Sequence, residues 1–150
     1  MDLTGERNIA ATRDVVWSAL NDPIILKNSM RGCEELEALP DGGFSASVRV
    51  KMGPISARFT GRVTLSNLNP PISHTIEGEG AGGVAGFAKG GADVSLAEIG
   101  QETLLAYTVR ADVGGKVAQL GARFINATAK NLAGQSFDRF SEEIAKSSPR

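Results

Sequence analysis

The chain has 150 residues, 41% hydrophobic and 22% charged, with a formal net charge of −1, which fits one domain with a sizeable core and excludes a chain built as a whole to grip nucleic acid. Glycine is over-used, at 18 residues, and Cys33 is the only cysteine, so no internal disulfide forms and a reducing, cytoplasmic compartment is expected. The opening residues lack the apolar stretch of a secretion signal, and no apolar run approaches the roughly 20 residues that span a bilayer, so membrane contact is expected to be peripheral, at the inner face.

Asp2 to Ile9 reads as a first short strand. Thr12 is placed to cap a helix through Leu20, its hydroxyl accepting from free backbone N–H groups, with Asp14 complementing the positive end. Val16, Trp17 and Leu20 fall on one face of that helix. Asp22-Pro23 is a second start signal, an N-cap with proline at the first helical position, and a short helix follows to about Asn28. From Gly32 the period changes to two. Cys33 to Leu39 is a strand and Asp41-Gly42-Gly43 a turn. Phe44, Ala46, Val48, Val50 and Met52 then alternate with polar residues. Gly53-Pro54 fits a two-residue hairpin turn, and Ile55, Ala57, Phe59, Gly61, Val63 and Leu65 alternate again. Two such alternations side by side predict an antiparallel sheet with one buried face.

Asn69-Pro70-Pro71 breaks the chain, and Ser73 to Gly80, Phe87 to Glu98 and Thr103 to Asp112 are three more strands. The glycine-dense segment Gly78 to Gly91 is expected to bend the sheet through a bulge. Gly114-Gly115 ends the sheet. Val117, Leu120, Phe124, Thr128, Leu132, Phe137, Phe140 and Ile144 are spaced mostly by threes and fours, which predicts one amphipathic helix from about Lys116 to Ile144. The tail, residues 146–150, is expected to fray. The result is a single α+β domain over residues 1–150. A curved seven-stranded antiparallel sheet wraps around a long C-terminal helix, with two short helices after the first strand.

This order resembles the helix-grip or START-like superfamily, to which polyketide cyclases and Bet v-like proteins belong. More narrowly it resembles the carbon monoxide dehydrogenase G-subunit family. The matching pieces are Gly5, Val16-Trp17, Asp22-Pro23, Gly32-Cys33-Glu34, Val50 to Ile55, Phe59 with Gly61, the Gly78-to-Gly91 segment, and Gly114 to Gly121. Two places depart from the family pattern. Arg31 stands where a proline usually precedes Gly32-Cys33, and Ser136-Phe137 stands where paired phenylalanines are common. The resemblance implies a hydrophobic cavity without conserved reaction chemistry. It also implies association with a carbon monoxide dehydrogenase-type molybdenum enzyme, which the family is thought to place at the membrane or to serve with a lipophilic electron carrier such as a quinone.

Several motifs have plainer readings. Gly78-Xaa-Gly80-Xaa-Xaa-Gly83 matches the dinucleotide fingerprint in letters, but strand signals lie on both sides where a helix must follow. Gly114-Gly115-Lys116 is not a phosphate loop, because Val117 stands where Ser or Thr must bind magnesium. His74 is the only histidine and has no carboxylate fixed beside it, so a structural role is favoured. Cys33 lacks a second thiol or nearby histidine, and no metal site is expected. Glu34, Glu35 and Glu37 read as a solvated edge rather than an acid–base pair. Arg49, Lys51, Arg58 and Arg62 form a basic face. The hairpin would set Arg49 opposite Arg58, an unfavourable pairing that leaves a solvated face or a patch for headgroups or an acidic partner.

The apolar set is the main candidate site. Phe44, Val48, Met52, Phe59 and Val63 should face Val117, Leu120 and Phe124 on the long helix. Small residues on the same faces, among them Ala46, Gly61, Ala88 and Gly90, either bring the helix close or leave space. With the resemblance, the expectation is a cavity roofed by Trp17, Leu20, Ile24, Leu26 and Met30, with Tyr107 fixing a ligand's orientation. The expected function is non-enzymatic binding of a quinone or lipid, without cofactor or nucleic acid, as an accessory factor. The alternatives are a cyclase- or hydrolase-like enzyme using the same cavity and an assembly factor with a filled core.

Overall fold

The computed structural model describes residues 2–147, without the side chains of Asp2, Met52 and Ser147. Seven strands form one antiparallel sheet: β1 (Asp2–Ile9), β2 (Cys33–Ala38), β3 (Phe44–Met52), β4 (Ile55–Asn69), β5 (Ser73–Ala81), β6 (Phe87–Ile99) and β7 (Glu102–Gly114). Their spatial order is β1-β7-β6-β5-β4-β3-β2, so the sheet is a meander with β1 returned to its far edge. Two short helices, α1 (Arg13–Leu20) and α2 (Pro23–Ser29), connect β1 to β2 across the sheet, and α3 (Ala122–Ser147) closes the chain.

Local chemistry accounts for most boundaries. The Asp22 carboxylate accepts from the Ile24 N–H at 2.9 Å and Pro23 opens α2. Thr12 occupies the N-cap of α1 with extended backbone, but its side chain makes no capping bond, contrary to expectation. That helix begins on the Thr12 carbonyl, which accepts from the Val16 N–H at 3.0 Å. Gly53, at φ 57°, turns β3 into β4 with Met52 opposite Ile55.

Two further expectations are corrected. The glycine segment holds no bulge: β5 and β6 keep continuous register from Ser73 opposite Ser95 to Ala81 opposite Phe87. The corner between them is a 3-10 turn, Gly83–Ala85, that leans on the joint between sheet and helix. A Cβ on Gly115 would meet Gly86 Cα at 2.7 Å, so this approach requires glycine. The C-terminal tail is not one helix. Gly115–Leu120 is a 3-10 segment, Gly121 takes φ 93°, and only then does α3 begin. The tighter winding lets Val117 reach full burial against Phe59 and Ala85. α3 continues through Ser147, and the rest of the tail expected to fray lies outside the described residues.

The core is divided. One part lies under α1 and the C-terminal half of α3, where Val16, Leu20, Leu96, Leu105, Phe140 and Ile144 pack together. The other is smaller, centred on Phe59, Ala85 and Val117 at the opposite end of the sheet. Between them α3 crosses the concave face of the sheet.

Candidate functional site

The span between the two core parts is a cavity of about 310 Å³. Strand register explains why it is open. Ala46, Gly61, Gly80 and Ala88 are consecutive partners across β3, β4, β5 and β6, ending at Val113 on β7. The next row in the cavity runs from Val63 through Gly78 and Gly90 to Ala111. For four strands in the first row no inward side chain is larger than a methyl group, so the sheet leaves room beneath α3. At Gly61 a Cβ would overlap the Glu79 carbonyl and come within 2.7 Å of Gly80 Cα, so that position is glycine by necessity. Gly78 is different, since a Cβ there would stand 3.6 Å from its nearest neighbours.

The roof is Met30, after the end of α2, and Ile125, Thr128, Ala129 and Leu132 of α3. Arg62, Glu79, Lys89 and Asp112 border the cavity through their strands. Alternation puts their side chains on the outer face, and all four are exposed. Among the described residues no titratable side chain projects from the inner wall.

The structure disperses the sequence candidates. Met30, Val48, Phe59 and Val63 line the cavity. Val117 and Leu120 belong to the smaller core, and Leu20 and Leu26 are buried away from the wall. Phe44 is buried opposite Val63 at the end of its row. Trp17 rests on His74, ring centroids 5.2 Å apart, and Tyr107 stacks on Phe137 at 4.3 Å, both beside the larger core. Ile24 is 72% exposed, and Phe124 is half out of the protein with its ring against Gly53. The Met52 side chain lies outside the described residues. Of the expected roof only Met30 reaches the cavity, and α3 supplies the rest in place of α1 and α2. Thr128 and Leu132 stand on the face that the helical spacing assigns, while Ile125 takes the place expected of Phe124. Val50, Ala111 and Val113 complete the floor, and of these the alternation on β3 places Val50 inward.

The basic face carries its own counter-charges. Arg49 does stand opposite Arg58, and Glu34 bridges the pair, 3.2 Å from Arg49 Nε and 2.8 Å from Arg58 Nε. The hydrogen bond from Arg49, joined by the charge of Arg58, holds the Glu34 carboxyl below its ordinary range. Asp41 pairs with Arg62. Lys51 has no ion pair among the described residues.

One end of the molecule has a distinct character. It comprises the Gly53-Pro54 turn, the 3-10 corner and the 3-10 segment before α3. Val84 is 92% exposed and Phe87 53% exposed there, and Phe124, half-exposed, lies against the Gly53 turn. The turn and both 3-10 pieces lie in stretches without Asp or Glu, between Asp41 and Glu77, between Glu79 and Asp93, and between Asp112 and Asp138. Lys51, Lys116 and Arg123 are exposed there.

Comparison with known proteins gives this architecture a family. The model for the carbon monoxide dehydrogenase G-subunit, CoxG, matches residues 5–145. The chain belongs to the CoxG family. No curated protein matches it. Among solved structures, a conserved protein from Geobacillus kaustophilus is similar at 31% identity and TM-score 0.90, over 98% of this chain and 97% of that one. A Thermus thermophilus protein aligns over 99% of this chain and 100% of its own at 18% identity and TM-score 0.72. An aromatase/cyclase from a Streptomyces species shares the fold at 13% identity and TM-score 0.66, over 97% of this chain and 94% of its own. The helix-grip fold and CoxG membership thus agree. Within this family member the two departures noted in the sequence meet: the Arg31 N–H donates to Ser136 Oγ at 3.3 Å. A proline at 31 has no N–H to give.

Proposed function

We propose that the protein binds a lipophilic small molecule, a quinone or lipid, between its sheet and α3. It thereby serves as an accessory factor for a carbon monoxide dehydrogenase-type molybdenum enzyme. The observation that carries this reading is the glycine–alanine floor. It leaves about 310 Å³ lined by apolar groups, within the lower range of small-molecule sites. Burial of ligand surface there contributes about 25 cal/mol per Å². An inner wall without a titratable side chain favours holding a molecule over acid–base chemistry on it, so the cyclase-like alternative has no group to act with. Family membership supports the link to the enzyme, as an expectation from kinship.

The test is native mass spectrometry of the purified protein, followed by denaturation and analysis of what is released. A discrete lipophilic mass, or uptake of added decylubiquinone or phospholipid, is the expected result. A protein at bare chain mass that takes up no added lipophile would overturn the reading.

The acid-free end favours recruitment to a membrane. Exposed apolar side chains beside exposed cations suit an anionic bilayer, where each Lys or Arg near the surface is worth about 1 kcal/mol. Among the described residues no helix is long and apolar enough to cross a membrane, so this contact would be made from the surface.

A further inference from the structure

We propose that the preferred ligand is an anionic amphiphile, with its tail over the glycine–alanine floor and its charged head in a basic vestibule between α2, α3 and the free edge of β3. This rests on the cavity-binding reading above and names the class of molecule bound.

The vestibule is a second space, about 850 Å³, that shares Met30, Val50, Thr128 and Leu132 with the apolar cavity. It exists because β2 begins only at Cys33, opposite Val48, and leaves the end of β3 uncovered. Lys27 and Arg31 border it from α2 and the loop after it, and Arg139 from α3, while Arg49 and Lys51 border it from β3, where alternation turns their side chains to the outer face. Glu34 is the one carboxylate among its lining residues, and it is already engaged by Arg49 and Arg58. Glu143 lies nearby, but Asn28 donates to it at 3.0 Å and Lys146 at 3.4 Å.

α3 divides its faces accordingly. Thr128 and Leu132 turn to the cavity, while Asn131, Gln135 and Arg139, each four residues on, line the vestibule with donors. An apolar pocket that opens directly onto surplus positive charge fits a molecule with both characters. A neutral lipophile would leave that surplus without counter-charge, whereas a carboxylate or phosphate accepts charge-assisted hydrogen bonds from it. Four of the five cations are exposed, so their contribution should weaken with added salt.

The experiment is titration calorimetry of the whole protein with dodecanoate, dodecyl phosphate, dodecanol and decylubiquinone. At least one anion should bind about tenfold more tightly than dodecanol, a difference of about 1.4 kcal/mol, and the advantage should shrink at high salt. Preference for dodecanoate or for dodecyl phosphate would identify the head. The double variant Arg31→Ala with Arg139→Ala should lose that advantage while still binding dodecanol, which also reports that the cavity remains folded. Dodecanol or decylubiquinone binding as tightly as both anions, or an unchanged anion affinity in the double variant, would overturn the proposal and leave the cavity reading intact. Failure of all four probes to bind would overturn both.

Discussion

At the scale of the residue, His74 is the clearest case of a group held in one state. It is 3% exposed, it lies against Trp17, and among the described residues its Nδ1 has no hydrogen-bond partner. Burial pushes its pKa below the ordinary histidine value, so the folded protein keeps the ring neutral. Above about pH 6.5 both folded and unfolded chains carry neutral His74 and the group has no effect. As pH falls below that, the unfolded chain takes up the proton first and stability drops, by at most about 1.4 kcal/mol per pH unit for one proton. The melting temperature should therefore fall between about pH 7 and 5, and His74→Phe should flatten the profile there while keeping a ring against Trp17. An unchanged pH profile in that variant would remove His74 as the cause. The sequence allowed a structural reading of this residue, but not its partner, because Trp17 reaches it only through the packing of α1 on the sheet. Arg31 and Ser136 make a similar point. Each is a departure on its own, and only the fold shows that one donates to the other.

The elements were legible to different degrees for physical reasons. Strict alternation on β3 and β4 has one arrangement that buries the apolar face, and the register around Gly53-Pro54 followed from it, including Arg49 opposite Arg58. The C-terminal tail had no such uniqueness. Spacings of three and four suit a 3-10 turn followed by a helix almost as well as one long helix, and a single glycine at φ 93° decides between them. The cavity was harder still, since it depends on glycines and alanines of four strands falling into line. That alignment yields a contrast within one sheet. Gly78→Ala meets only ordinary contacts and should leave folding intact or strengthen it by about 0.4–1 kcal/mol. Gly61→Ala drives a Cβ into the β5 backbone and should destabilise by more than that. Urea unfolding of the two variants measures both, and equal stabilities would show that the floor is not built as described.

At the scale of the whole molecule, charge is sorted by place. Acidic residues are absent from the stretches that hold the turn and both 3-10 pieces at one end, although the chain as a whole is nearly neutral. The net charge therefore conceals a polarity that matters to a surface. If that end meets the membrane, Val84→Asp with Arg123→Glu should abolish co-sedimentation with vesicles rich in phosphatidylglycerol. Both positions are exposed, so the variant should melt as the parent does. Retention of full vesicle binding by that variant would place the contact elsewhere.

The floor is open because side chains are missing from it, not because groups are installed there to recognise a particular molecule. On the binding reading proposed above, the size of the ligand is set by Ala46, Ala88 and Ala111, and enlarging any of them shortens the chamber while the strand backbone stays where it is. Ligand size is then an adjustable dimension of an unchanged scaffold.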